Sequence, residues 1–219
     1  MPNATLMDIA IANGSDQLTG LIEDVAKAHP EIEMGAARTI RGINYKTLVR
    51  TALPTTGFRA ANEGTQTQKS RWENRMFEAM ILNPQWEADV AVADRHEDGA
   101  EAFLALEASG QMESSMQTIC QQFYYGPGTG GDAKGFPGPL QSLDTTNMVV
   151  DATGTTDDVA TSVWAVRFGP KSIQWLWGNN GNLGLSEVTK VRVTDGSSNP
   201  YTAYRQEILA YPGLQFGES

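Results

Sequence analysis

EAFLALEASGQMESSMQTICQQFYYGPGTGG, residues 101–131, runs a helical pattern straight into a glycine cluster. Ala, Glu, Leu, Met and Gln dominate from Glu97 to Gln122, all good helix formers. Met112, Met116, Ile119 and Phe123 recur at 4-3-4 spacing and draw one continuous apolar stripe. With Asp94 as cap, the pattern predicts a helix over 94–124, with Gly110 a weak point inside it. At a rise of 1.5 Å per residue such a rod is roughly 40 Å long, well beyond the average helix. It reads as a structural spine. The rod must stop at Gly126-Pro127-Gly128-Thr129-Gly130-Gly131, and Gly135-Phe136-Pro137-Gly138-Pro139 breaks the chain again. Pro137 and Pro139 read as blocking any helix after it.

Upstream of the rod, two extended arms flank a polar segment. Thr39, Ile40, Ile43, Tyr45, Thr47, Leu48 and Val49 place β-branched and aromatic residues over 31–53. Residues 71–82 alternate, with Trp72, Met76, Met80 and Leu82 on one side and Phe77, Ala79 and Ile81 on the other. Between the arms, residues 54–70 hold Gly57, Gly64, Thr and Gln, and Phe58 is the one large apolar group. A long β-hairpin is the economical reading. Its outer half is too polar to bury itself, so it needs a partner surface. Residues 1–29 read as two short helices: Thr5 and Asp8 make a capping pair, Leu18, Leu21, Ile22 and Val25 an amphipathic stripe, and Pro30 the stop.

Downstream, the chain is β-rich. Strands are predicted over 163–168, 173–177, 188–193 and 201–209 as a four-stranded set, with turns at 169–171, 178–181 and 195–200. Residues 94–124 and 155–216 are the expected core.

The 219 residues allow one large domain or two small ones. Sixteen Lys and Arg against 26 Asp and Glu leave a net charge of −10. This balance argues against wrapping nucleic acid or binding anionic lipid as the main task. The single cysteine, Cys120, excludes an internal disulfide and makes a Cys-based zinc site improbable. Met1-Pro2-Asn3-Ala4 has no basic or apolar signal region, so no signal peptide is expected, and the glycosylation triplets at Asn3 and Asn13 read as chance. No apolar run approaches the ~20 residues of a membrane span.

The chemical motifs weigh little. Gly126, Gly128 and Gly131 match G-x-G-x-x-G, with Asp151 twenty residues on. That fingerprint needs a strand before it and a helix after it, and here a polar helix precedes the glycines and a Pro-Gly-rich segment follows. Lys134 lacks the neighbours of a phosphate loop. Cys120 reads as packing beside the helix stripe. His29 precedes a proline at a helix end, and His96 lies in a charged run, with no partner evident for general-base work. The pairs Glu31/Glu33 and Glu97/Asp98 read as solvated faces rather than a calcium loop. Trp164, Trp175 and Trp177 suit a core, and more remotely an aromatic platform for a sugar. No catalytic constellation, cofactor or metal is expected, and the chain does not read as an enzyme.

What remains is architectural, and it is the order of elements that speaks. Gln121-Gln122-Phe123-Tyr124-Tyr125-Gly126, then Gly128-Thr129-Gly130, then Lys134-Gly135-Phe136-Pro137-Gly138 follow the rod. Tyr45-Lys46-Thr47-Leu48-Val49-Arg50-Thr51 and Phe58-Arg59 with Asn62-Glu63-Gly64 precede it. Val163-Trp164-Ala165-Val166-Arg167-Phe168-Gly169, Tyr201-Thr202-Ala203-Tyr204 and Ala210-Tyr211-Pro212-Gly213 close the series. In this order the chain resembles the major capsid (coat) proteins of tailed bacteriophages, in particular those of podovirus- and siphovirus-like genomes. These share the Hong Kong 97-like fold, an α+β architecture. The resemblance implies an N-terminal arm over 1–36, an extended β-hairpin loop with its base over 37–93, and a spine helix of the peripheral domain over 94–125. A Gly-rich connector and loop-rich β region would follow over 126–219. Such proteins usually continue into further axial-domain elements, which leaves open whether 126–219 is complete.

The resemblance further implies a structural subunit that self-assembles as hexamers and pentamers into an icosahedral head shell around phage DNA. That shell would be built in the bacterial host cytoplasm, with scaffold and portal proteins as partners, non-specific contact with DNA at the inner surface, and no membrane. An encapsulin-like compartment shell and a small-ligand or glycan-binding β-domain are the alternatives. On charge placement, Arg59, Lys69, Arg71 and Arg75 are expected to meet carboxylates of a neighbouring subunit, with Phe58 and Trp72 as apolar anchors.

Overall fold

Pro30 opens a helix rather than closing one. The computed structural model describes residues 28–143, 149–150 and 161–217. The two helices expected within 1–29, the glycosylation triplets and Asp151 lie outside those residues, save that 28 and 29 are non-helical. Proline is preorganised for the first turn of a helix, where its missing N–H costs nothing. Accordingly Pro30–Met34 forms a short helix, α1. The extended reading of 31–53 therefore begins only at β1, Ala37–Thr39, and resumes at β2, Asn44–Ala52. β2 pairs antiparallel with β3, Arg71–Glu78, as the alternation predicts. The arm stops at Glu78 rather than at residue 82, because Ala79, Met80 and Leu82 turn into the body of the protein. The Met80 N–H donates to Pro212 (2.8 Å), and Leu82 exchanges two backbone bonds with Ala210 (2.9 Å each).

The spine also starts later than its composition suggests. β4, Gln85–Asp89, runs into a single helical turn, α2, Val90–Ala93, capped by the Asp89 carboxylate on the Ala91 N–H (2.8 Å). Asp94 ends α2 instead of capping the spine, and it accepts from the Tyr204 hydroxyl at 3.2 Å. Gly99, at φ +89°, breaks the helical path, since few residues other than glycine adopt that conformation at low cost. The spine, α3, is Ala100–Tyr125, 26 residues and about 39 Å. It ends at Gly126, also in the left-handed range. Pro139 then begins one further turn, α4, Pro139–Ser142, where the two prolines had argued for none. It stands at the first helical position, as Pro30 does.

Two glutamines brace the connector between α3 and α4. Gln122 Nε2 donates to the carbonyls of Phe136 (2.8 Å) and Asp132 (3.2 Å), and its Oε1 accepts from the Asp132 N–H (2.8 Å). Gln141 Oε1 accepts from the Gly138 N–H (3.0 Å), and its Nε2 donates to the Tyr125 carbonyl (2.9 Å). Side chains thus satisfy backbone groups that the loop's own turns leave open.

The β region divides between two sheets rather than forming one four-stranded set. β5, Ile173–Trp177, lies between β1, parallel, and β9, Pro212–Phe216, antiparallel. β8, Pro200–Leu209, pairs with β4 along one edge and with β7, Thr189–Thr194, and β6, Gly184–Leu185, along the other. The turn at 195–200 holds Asp195 as acceptor from Asn199 and Ser197, and these backbone bonds keep its carboxyl below the usual range. The strand expected at 163–168 is absent: only Phe168 bridges to Ile173. Both edges of β5 are already occupied, so β-prone side chains there find no ladder to join.

Trp175, Phe123, Phe136, Ile119, Leu214 and Phe216 form the main core, with Ile32, Phe77, Met80 and Leu82 packed against it. A second cluster of Ala88, Ala93, Phe103 and Leu104 seats α2 and α3 on β4. A third, of Ile40, Ala79 and Leu176, anchors the hairpin base. Each fully buried large side chain contributes about 1.5–3 kcal/mol. The core thus reaches into residues 40 and 79–93, beyond the expected 94–124 and 155–216.

Gln122 is 4% exposed and makes three bonds at once. Replacing Gln122→Leu keeps its bulk and strands the Asp132 and Phe136 backbone groups. We expect a loss of about 2–3 kcal/mol, read as a lower urea midpoint with an unchanged slope.

Candidate assembly surface

The hairpin's register sorts its side chains. Asn44 faces Glu78 and Arg50 faces Trp72, so both arms are symmetric about residue 61, with a bulge between Arg50 and Ala52. Tyr45, Thr47, Val49, Arg75 and Phe77 share a half-buried face. Phe77 and Tyr45 pack on the core clusters at the base, and Arg38 donates to the Tyr45 hydroxyl (2.9 Å) with its guanidinium over the ring. The opposite face presents Lys46, Leu48, Arg50, Trp72, Asn74 and Met76 to solvent. Leu48 is 60% exposed and Trp72 50%, and the Arg50 guanidinium lies 4.2 Å from the centre of the Trp72 indole.

The tip is a defined turn. Arg59 Nη1 donates to the Glu63 carbonyl (2.7 Å), the Ala60 N–H donates to the Glu63 carboxylate (3.3 Å), and Asn62 sits at φ +65°. Phe58, beside Arg59, is fully exposed.

The six residues singled out from sequence are therefore distributed. Phe58, Arg59 and Lys69 belong to the exposed tip segment, Trp72 to the outer face, and Arg71 and Arg75, four residues apart, to the opposite face of β3. Leu48 and Arg50, which complete the outer face around Trp72, were missed. The signal was available: folding the two arms about residue 61 sets Arg50 opposite Trp72.

The other candidates resolve as follows. Trp175 is 1% exposed and cannot serve as a ligand platform, and its indole N–H donates to the Glu31 carbonyl (2.9 Å). Trp164 stands 6.0 Å from Tyr124, ring to ring. The glycine loop follows the carboxyl end of α3, where carbonyls rather than N–H groups point outward, the wrong polarity for a phosphate.

Cys120 and His29, far apart in sequence, meet. The thiol sulfur lies 3.5 Å from His29 Nδ1, and His29 Nε2 lies 3.2 Å from Glu113 Oε2. Nearby, the Tyr124 hydroxyl donates to Glu31 at 2.6 Å. The sequence offered no cue to this grouping, which depends on α1 lying along α3. The arrangement has the order of a nucleophile dyad with an acid, but its electrostatics oppose that use. Burial, with the charges of Glu31 and Glu113 behind it, pushes the Cys120 thiol up to about 12. A nucleophilic cysteine needs the reverse shift. Burial and the Glu31 bond likewise raise Tyr124. Among the described residues no group of three His, Cys, Asp or Glu side chains is placed to hold a metal ion, and no helix is long and apolar enough to cross a membrane.

The profile of the family described as Major capsid protein GP7 matches residues 18–217. The chain belongs to this family. Its role is that of a structural shell subunit of the virion capsid, one that self-assembles. Solved structures agree on the fold. A chain of bacteriophage Epsilon15 superposes with a TM-score of 0.61 at 20% identity, covering 99% of this capsid protein and 67% of that chain. A chain of Mycobacterium phage Bobi gives 0.57 at 12% identity, covering 100% and 94%. A chain from the capsid of a native GTA particle gives 0.53 at 10% identity, covering 92% of each. No match was found among curated protein sequences. The capsid protein has the Hong Kong 97-like fold that the order of its elements suggested.

For this capsid subunit, the His29–Cys120 contact ties α1 to the spine. A thiol held protonated by burial should alkylate with iodoacetamide at pH 8.5 more than tenfold slower in the folded protein than in urea. Because the unfolded chain releases this proton first, the fold should also lose stability as pH rises from about 9 towards 12. Equal alkylation rates in the two states would show that Cys120 is not shielded.

Proposed function

We propose that this capsid protein tiles an icosahedral head shell as hexamers and pentamers around packaged phage DNA, with the hairpin of each copy lying over a neighbour. The observation that supports this most is a charge division. The hairpin, residues 44–78, carries six Lys and Arg against three Asp and Glu, a local +3 in a chain of −10. From residue 96 to residue 133 there is no Lys or Arg at all, while Glu97, Asp98, Glu101, Glu107, Glu113 and Asp132 fall within it. A basic arm and an acidic rod on one chain are complementary between copies and steer association. On this reading Arg59, Lys69, Arg71 and Arg75 meet carboxylates of the neighbour, and Phe58 and Trp72 are the apolar anchors.

The remaining charge fits non-specific rather than tight contact with DNA. Scaffold and portal proteins are the natural further partners of such a shell, and the bacterial host cytoplasm the place of its assembly. The working division is an arm over 1–36, the loop and its base over 37–93, the spine over 94–125, and the connector with the β region over 126–219.

Light scattering after size exclusion, with negative-stain images of the main peak, tests the shell. The unmodified protein should give rings or closed shells. The double variant Arg59→Glu/Arg71→Glu should keep its circular dichroism spectrum and need at least tenfold more protein to assemble, because it sets like charges against one another. Assembly unchanged by the reversal would sink the carboxylate contact.

A further inference from the structure

Phe58 stands fully exposed at the end of a polar arm, and aromatic side chains of this kind are enriched where one protein surface packs on another. Resting on the shell reading above, we propose that Phe58 of one copy seats in an apolar groove of the next, beside the spine helix. The groove lies between α3, the end of β5 and β8. Met112, Met116, Trp177, Leu183, Ile208 and Ala210 are among the residues that line it, and its volume is about 220 Å³. That is below the roughly 300–1,000 Å³ of small-molecule sites and suits a side chain better than a ligand.

Three features favour a second copy as the occupant. The first is chemistry: the half-exposed Leu183 lines the groove, and two methionines can adapt to an inserted ring. The second is charge. Arg59 adjoins Phe58, while α3 contributes Glu101, Glu107 and Glu113 and no cation, so an arm entering the groove brings its positive charge to a negative helix. The third is reach. The nine residues of β2 at about 3.3 Å each carry the tip roughly 30 Å from the base. Phe58 is fully exposed, so its own chain's groove is left for a neighbour. Knob and socket are different surfaces, so the contact is head-to-tail, and it closes into rings where the rotation permits.

The test places photoreactive p-benzoyl-phenylalanine at position 58, mixes isotopically light and heavy chains, irradiates assembled particles and identifies the joined peptides. Mixed-isotope links from position 58 to peptides holding residues 112–116, 177–183 or 208–210 support the socket. Closed particles whose links fall elsewhere, or that show none between copies, overturn it and leave the shell reading standing. Unmodified protein that never assembles removes the shell reading, and the socket with it. As a second measure, Phe58→Asp should raise the concentration needed for assembly at least tenfold and Phe58→Leu by less than threefold. Assembly of Phe58→Asp at the unmodified concentration counts against the socket.

Discussion

Four distant segments of the chain meet at one indole. Trp175 stands 5.3 Å from the ring of Phe123 on the spine and 5.9 Å from that of Phe136 in the connector. Its ring nitrogen is bound to the Glu31 carbonyl of α1, and its backbone N–H to Ala36 just before β1. On its own strand it lies opposite Ala37 on one side and Leu214 on the other. Space around it is so short that a Cβ at Gly35 would come within 2.3 Å of the ring. Four segments distant in sequence are therefore fixed relative to one another by one side chain, and the spine is held to the sheet by aromatic packing rather than by charge.

The hairpin inherits its placement from that centre. Phe77, Met80 and Leu82 pack on the same cluster, and Ala79 is buried beside Leu176. The base is thus part of the core, while the outer face of the arm carries Leu48 and Trp72 exposed to solvent. Proteins that use a protruding arm to bind need this division, because a tip held by its own turn and a base held by the core lose little entropy on docking.

Local pattern made some of this legible. The spine was plain because helix formers and a 4-3-4 stripe agree over many residues, and the hairpin because alternation and a polar tip agree. The helix start was misplaced because Asp94 is a good cap in composition but serves α2, while Gly99 breaks the path five residues later. β9 escaped notice: Pro-Gly-Leu-Gln-Phe is a poor strand on propensity, and it exists because all five residues are buried beside β5. Residues 163–168 failed in the opposite way, with propensity in place and no free edge to pair with. The contact candidates at the tip were visible as exposed basic and aromatic residues on an acidic chain. Leu48 and Arg50 needed the register, and the meeting of His29 with Cys120 needed the tertiary fold. The groove beside α3 draws its lining from Thr39 to Ala210 and leaves no local trace.

Strand alternation has a consequence for how this protein can vary. Inserting one residue within either arm would turn every side chain beyond it to the opposite face, so that Leu48 and Trp72 would no longer stand on the same side. Insertions in 53–70, between the arms, leave both faces as they are. Length can therefore change by any number of residues at the tip but only in pairs within an arm, and a lineage of such proteins can alter how far each subunit reaches without rewriting which residues it presents along the way.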